Sequence, residues 1–455
     1  MKNYVYWITF IAINSGLLFG LNMAGISGAV DSIKDIFELS PNGLGLVVGI
    51  LSGGCMIGAL LAGKLADKYG RKKSLIATSI VFAISALGCA LSQEIVSLTL
   101  FRLTSGIAVG LGSVLAPMYI SEVSPAAKRG TLVSFNQFAV TTGILFAYLI
   151  DYALVNVPDG WRYMLGAPFI FSVIFLVLLL VSFPESPRWL LTKGKNSEAL
   201  KVLNKINPVS AQKEYDSIKS SLSVVEEKSN VSFSDIFKGK LGVVVLIGTI
   251  LAMFQQITGI NAIINYAPVI LSQTGIGEDA SMLQSIFVGI INFLFTIIAL
   301  WLIDTKGRKT LLLWGAAGMS LSLIYLSAAF AMGWMNIGVL IALLGYIASF
   351  AATFGAVVWV VTSEIYPNRI RSYATSFSTG ICWGCSFLVV QFSPWILDTF
   401  GGSILFGLFG VLSLISFFFI QFFVPETKGK SLEQIEEELK LTTDNVKTDS
   451  IAEEA

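Results

Sequence analysis

Three short signatures occur twice in this chain, in the same order and about 240 residues apart. Asp67-Lys-Tyr-Gly70-Arg71-Lys72 returns as Asp304-Thr-Lys-Gly307-Arg308-Lys309. Ser121-Glu122, followed by Pro125 and Arg129, returns as Ser363-Glu364, Pro367 and Arg371. Pro184-Glu185-Ser186 returns as Pro425-Glu426-Thr427. Equal order at nearly equal spacing means that one half of the protein is repeated, so every element of the fold needs a partner half a chain away.

The medium of that fold follows from composition. Of 455 residues, 55% are hydrophobic and 13% charged, against about 25% charged in soluble domains. Apolar runs of about 20 residues can cross a bilayer as helices. Twelve such runs are present: 7–28, 43–63, 74–92, 96–118, 132–150, 164–183, 241–266, 281–303, 310–332, 337–361, 374–396 and 402–424. None alternates with period two, which argues against a β-barrel. No long polar segment exists outside 187–240, which leaves no room for a large enzyme domain. The expectation is an all-α membrane protein of twelve transmembrane helices in two six-helix bundles, 1–186 and 241–424. A linker at 187–240 carries short amphipathic helices such as Ser197–Ile206 and Gln212–Val224, and a tail at 425–455 turns disordered past residue 441. The repeat continues inside the runs, Gly20-Leu21-Asn22 matching Gly259-Ile260-Asn261 and Ser134-Phe135 matching Ser376-Phe377. Two parallel halves related by an axis along the membrane normal suggest a transporter with its site between them.

Net charge is only +1, but its distribution is informative. With the N-terminus inside, 27 of the 30 Lys and Arg fall on the inner face, which predicts a multi-pass protein of the plasma (bacterial inner) membrane with both termini cytoplasmic. The first run is too long for a signal peptide and reads as a retained helix. Cys55, Cys89, Cys382 and Cys385 all fall in membrane runs. Cys382-Trp-Gly-Cys385 has CxxC spacing, but without a second pair or any histidine it reads as small packing residues, and neither metal nor cofactor is expected.

The repeated loops combine an acid, a Gly turn and cations. Asp67 can cap or pair at the start of the next helix, while Arg71 reaches a carboxylate on a neighbouring element. Glu122 and Arg129 sit seven apart across a corner, as do Glu364 and Arg371. With Glu185, Arg188, Asp304, Arg308 and Glu426, these charges can form a cytoplasmic gate that holds in one state and parts in another. The competing reading is solvated charge serving topology alone, since exposed pairs contribute only about 0–1 kcal/mol.

Gln255-Gln256-Ile-Thr-Gly259-Ile-Asn261 places three neutral amides at membrane depth, with a Gly that lets the helix break. Amides both donate and accept, matching hydroxyl groups that do the same; helix–helix bonding is the alternative use. Gln137 and Asn292 add two more amides. Trp359 and Trp383 can offer flat platforms for sugar C–H faces, or simply face lipid.

These residues carry a likeness. The chain resembles the sugar porter family of the major facilitator superfamily over nearly its full length. The resemblance rests on Gly16-Leu-Leu-Phe-Gly20 with Ile26-Ser-Gly28, Gly63-Lys-Leu-Ala-Asp67-Lys-Tyr-Gly-Arg71-Lys, Arg102-Leu-Thr-Ser-Gly106, Pro184-Glu-Ser-Pro-Arg188, Gln255 to Asn261, Ser363-Glu-Ile-Tyr-Pro367 and Pro425-Glu-Thr-Lys-Gly429. It implies the major facilitator fold, alternating access and a monosaccharide substrate, glucose-like or a pentose. It further implies sugar-contacting roles for Gln137, Gln255, Gln256, Asn261, Asn292, Trp359 and Trp383. Phe354 falls where bacterial members often carry Trp before Gly-Pro, and Ala356 replaces that Pro. Asn265 stands in a common Tyr-Tyr pair, and Cys382 and Ser386 stand where amides are frequent.

Asn22 is a further departure. Proton-coupled members carry Asp at this coupling position, facing an Arg equivalent to Arg102, whereas facilitative members carry Asn. No Asp, Glu, Lys or His lies well inside any predicted helix, and Arg102 cannot act alone as a reversible proton carrier. The expectation is therefore facilitative uniport of a hexose or pentose, with proton symport as the alternative and a non-transporting sugar sensor as a distant one. The lipid bilayer and the sugar are the expected partners; nucleic acid, an obligate protein partner and enzymatic chemistry are not.

Overall fold

In hydrocarbon every backbone N–H and C=O must be bonded within its own segment, so apolar runs of this length fold as helices. The computed structural model describes residues 3–125, 128–227, 237, 239–273, 278–367 and 370–428, and among them it is helical throughout, with no strand. Among the described residues eleven segments are long and apolar enough to cross a membrane. The last of them holds both final predicted runs, bent at Gly401 (φ +80°).

The first part of the chain comprises α1 (Asn3–Ala24), a 3-10 turn (Ser27–Ala29), α2 (Val30–Ile36), α3 (Pro41–Tyr69), α4 (Arg71–Leu91), α5 (Ile95–Val123), α6 (Arg129–Leu154), α7 (Gly160–Gly166) and α8 (Pro168–Ser182). The starts follow ordinary capping chemistry. Ser40 accepts the Gly43 N–H at 3.2 Å before Pro41 opens α3, and Pro168 opens α8. Three short helices follow in the polar linker, α9 (Pro187–Thr192), α10 (Asn196–Ile206) and α11 (Ala211–Glu227). The second part comprises α12 (Gly239–Ile257), α13 (Ile260–Ser272), α14 (Glu278–Lys306), α15 (Arg308–Met332), α16 (Ile337–Ala352), α17 (Phe354–Ile365) and α18 (Arg371–Phe423). The polar tail from residue 429, including its expected disorder, lies outside the described residues.

Two interruptions shape the interior. Gly259, with φ +98°, separates α12 from α13 as its place in the amide motif predicts. Thr353 (φ −135°, ψ −84°) separates α16 from α17 without the help of Gly or Pro at the break. Close packing relies on small residues: a Cβ at Gly54 would lie 2.2 Å from the Leu103 carbonyl oxygen, and one at Gly106 2.0 Å from that of Leu51, so α3 and α5 touch backbone to backbone.

The two parts meet along two seams. Gly45 of α3 approaches the Gln391 carbonyl of α18, and Ser52 and Ser386 share a hydrogen bond at 3.0 Å. On the other side α6 meets α14, with Phe138 and Phe293 ring centroids 4.9 Å apart.

One expectation needs correction here. The fifth run was bounded at residue 150, just short of Asp151, so no acid was expected within a membrane helix. In the structure α6 continues to Leu154 and Asp151 is fully buried (0% exposed). The helix does not end at the charge because Ser27 and Gly28, distant in sequence, supply the carboxyl with hydrogen-bond donors.

Candidate functional site

Gly259 frees the chain to turn, and the turn gathers the amides. Gln255, Gln256 and Asn261 are all buried. Asn261 Nδ2 donates to Gln256 Oε1 at 2.7 Å and to Ser386 Oγ at 2.7 Å. Ser386 in turn reaches Ser52 on α3, so the amide pair is wired into the seam between the two parts. Gln255 Nε2 donates to the Phe354 carbonyl at 3.0 Å, across the break before α17, while its Oε1 faces the Cys382 thiol at 3.6 Å. Asn265 Nδ2 donates back to the Asn261 carbonyl at 2.6 Å. The arrangement is a cluster of groups that both donate and accept, bonded to one another and available to exchange those bonds for hydroxyls.

Of the remaining predicted contacts, Phe354 joins the cluster through its carbonyl, and the others lie on further helices. Asn292 is buried on α14 and Gln137 half-buried on α6, the two helices of the second seam. Trp383 is buried with its ring 5.5 Å from that of Phe19 on α1. Phe354 is buried beside Phe350, and Trp359 is half-buried one and a half turns further along α17. A cavity of about 110 Å³ lies toward the loop ends of α2 and α13, lined by Asp31, Lys34 and Tyr266 among others. It is a vestibule beside the amide cluster rather than the cluster itself.

At the expected coupling position the amide bonds within its own helix. Asn22 Nδ2 folds back onto the Leu18 carbonyl at 2.8 Å. Arg102, 2% exposed, donates to the backbone carbonyls of Asn22 at 2.9 Å and Val48 at 3.3 Å. Among the described residues no carboxylate pairs with it. The guanidinium therefore pins α1 to α3 through carbonyl oxygens.

The face that carries the repeated loops, taken as the inner face from the Lys and Arg distribution, shows two matching clusters. Arg71 Nη2 donates to Glu122 Oε1 at 2.8 Å, and Glu122 also accepts the Ser186 hydroxyl. Glu185 accepts the backbone N–H groups of Arg71 and Lys72 at 2.8 and 3.1 Å, closing the start of α4 where the helix dipole favours an anion. Burial raises the Glu185 carboxyl above its ordinary value, opposed by those amides, by that of Ser186 and by the Arg71 charge. In the second cluster Arg308 Nη2 meets Glu364 Oε1 at 3.1 Å, and Thr427 donates to Glu364. Glu426 accepts the N–H groups of Arg308 and Lys309 at 2.9 and 3.1 Å at the start of α15.

These clusters sort the expected roles. Of the two open to Asp67, capping α4 falls to Glu185 and pairing at its start to Asp67. Asp67 is exposed and stands 3.4 Å from Arg71. Arg129 and Arg188 are exposed, and Arg371 donates to the Tyr366 carbonyl at 3.1 Å. The Asp304 side chain lies outside the described residues. The Arg71–Glu122 and Arg308–Glu364 pairs each join groups of the same half. Sequence reasoning did not single out Ser52, Ser186 or Thr427 as bonding partners; Ser186 and Thr427 were visible as the third letters of the repeated Pro-Glu motif.

Comparison with known proteins agrees with this geometry. The chain matches the family described as "Sugar (and other) transporter" over residues 8–439. It is 39% identical over 442 residues to the arabinose-proton symporter of Bacillus subtilis (strain 168), covering 95% of this chain and 94% of that protein. It is 36% identical over 480 residues to the D-xylose-proton symporter of Escherichia coli (strain K12), covering 96% of each. A solved structure of the proton:xylose symporter XylE, bound to 6-bromo-6-deoxy-D-glucose, superposes with a TM-score of 0.82 at 35% identity, over 96% of this chain and 99% of that one. A match across nearly the whole chain, carried by the same helices that hold the amide cluster and the paired inner clusters, makes this multi-pass membrane protein a member of the sugar transporter family of the major facilitator superfamily.

Proposed function

We propose that this protein carries a monosaccharide, a pentose or a hexose, across the membrane by alternating access and in symport with protons. The observation that carries the sugar reading is the bond set around Asn261, which links Gln256, Ser386 and, through Ser386, Ser52 of the other half. A sugar that takes over those bonds, with Gln255 and Asn292 from one half and Gln137 from the other, bridges the two halves and so favours the occluded form. The halves are residues 1–186 and 241–424, both termini face the cytoplasm, and the inner clusters brace the ends of the helices that rock.

Uniport rested on Asn22 at the coupling position and on the lack of an acid inside the membrane, and Asp151 removes the second of these premises. The arabinose and xylose relatives are proton symporters by name, which adds weight to the same side. The test is counterflow of labelled D-xylose, L-arabinose and D-glucose in proteoliposomes, with and without a pH gradient. Accumulation above the external concentration under an inward proton gradient is the expected result. Equilibration without accumulation returns the reading to uniport, and no counterflow with any sugar refutes transport of these substrates.

A further inference from the structure

Asp151 lies one turn before the end of α6, at the side opposite the inner clusters. Its Oδ2 accepts the Gly28 N–H at 3.0 Å and the Ser27 hydroxyl at 3.1 Å, both in the 3-10 turn that follows α1. Its Oδ1 is buried and has no hydrogen-bond partner. The fit is tight: a Cβ at Gly28 would lie 2.7 Å from Asp151 Cβ and 2.7 Å from the Met282 methyl of α14. One turn back on the same helix, Tyr148 donates to the Ile264 carbonyl of α13 at 2.8 Å. The carboxyl is thus enclosed where α1 and α6 of the first half meet α13 and α14 of the second, in the seam that shuts the outer side.

The neighbouring ionisable groups do not neutralise it. Tyr148, on its own helix, is occupied by Ile264. Asp31 and Lys34 of α2 line the outer vestibule. Arg162 of α7 donates to the Ala90 and Ser92 carbonyls and lies over the Trp161 ring. Tyr266 of α13 donates to the Val390 carbonyl. Among the described residues none of these forms an ion pair with Asp151.

A carboxylate enclosed without a cation retains most of its desolvation penalty, and two neutral donors on one oxygen do not offset it. The neutral acid fits this enclosure far better. We propose that Asp151 is a proton-binding site of the outer gate: the seam closes with its carboxyl protonated, and closure takes one proton from the external water. When the seam opens, water reaches the carboxyl and it ionises, returning the proton to the medium it faces. The shared Ile26-Ser-Gly28 motif then has a task, since Ser27 and Gly28 hold the carboxyl in register for closure. The inference rests on alternating access and does not depend on whether transport is coupled.

The test is labelled-sugar counterflow in liposomes at equal pH on both sides, using D-xylose or D-glucose, so that no gradient drives the reaction. Exchange by the unaltered protein should fall with rising pH, approaching about tenfold per unit once closure limits the rate, because each unit costs about 1.4 kcal/mol of neutral acid. Asp151→Asn, neutral at all pH, should exchange at a rate independent of pH and comparable with the unaltered protein in acid. A pH profile in Asp151→Asn that matches the unaltered protein overturns the proposal, as does a flat profile in the unaltered protein. If the Asn variant does not survive size exclusion in detergent, Ser27→Ala decides. Losing a donor that holds the neutral carboxyl in the closed seam weakens closure, so the falling limb should move to lower pH, and an unmoved limb overturns the proposal. Failure of gradient-driven accumulation, by contrast, touches only the symport reading.

Discussion

In the first inner cluster Arg71 and Glu122 meet at 2.8 Å with side chains 10% and 9% exposed; in the second, Arg308 and Glu364 meet at 3.1 Å with side chains 14% and 27% exposed. The bonds are the same in kind and order: Arg to Glu, a Ser or Thr hydroxyl to the same Glu, and a second Glu on the amides that open a helix. What differs is cover. Over the first cluster α9 folds back, and Trp189 donates its indole N–H to the Asp67 carbonyl at 3.0 Å. The repeat therefore dictates the bonds, and the linker, present once in the chain, decides how dry they are.

The largest effects should come from the glycines that let each Glu reach its helix. Gly70 and Gly307 both hold φ +92°, and a Cβ there would stand 2.3 Å from Glu185 Oε2 and 2.6 Å from Glu426 Oε2. Gly70→Ala and Gly307→Ala should each destabilise the protein by about 3 kcal/mol, combining backbone strain with a displaced cap. Thermal unfolding in detergent checks this, and melting of both variants at the original temperature would refute the cap assignment.

Glu122→Ala against Glu364→Ala sharpens the comparison itself. Removing a partner from a nearly dry pair costs about 3 kcal/mol. The wetter pair should cost nearer about 1 kcal/mol, because water replaces the missing carboxylate. Equal losses in the same unfolding experiment would mean that the difference in cover has no energetic consequence.

Gln256→Ala asks whether the amide cluster differs in kind from the clusters below it. Losing one hydrogen-bonding partner of a neutral ligand costs about 0.5–1.5 kcal/mol. Sugar uptake should therefore fall by up to about tenfold while the unfolding temperature stays close to the original. Unchanged uptake would remove Gln256 from the sugar site. An unfolding shift as large as that of Glu122→Ala would make the cluster structural.

Much of this was legible in the sequence because it is written locally. The duplicated motifs mark the duplicated clusters, and Gly259 among three amides marks a helix break at a polar site. The parts that escaped are set by contacts between distant segments. Asp151 ended a run when hydropathy was read along the chain, because its donors sit 123 and 124 residues earlier. Asp67 was open to capping α4 or to pairing at its start; it pairs with Arg71, while Gly70 turns the amides toward Glu185, 114 residues beyond Arg71. The break at Thr353 adjoins Phe354-Gly355-Ala356, the stretch the resemblance marks as lacking its usual Pro, but no Gly or Pro at 353 itself pointed to that residue.

The smallest predicted effect concerns Arg129, which the repeat groups with the first cluster and the structure leaves exposed. Arg129 follows Glu122 by seven residues, as Arg371 follows Glu364, and the spacing alone would pair each with its Glu. Yet Glu122 is already taken by Arg71 and Ser186, and Glu364 by Arg308 and Thr427. Arg129 is left exposed at the start of α6, where the helix dipole slightly disfavours a cation. Arg129→Ala should therefore shift stability by less than about 0.5 kcal/mol, measured by the same unfolding experiment. A loss above about 1 kcal/mol would mean that Arg129 is paired in the form that melts. Such a loss should be removed by a second change at its acidic partner on the other half, and a double-mutant cycle with Glu364→Gln reads that coupling directly.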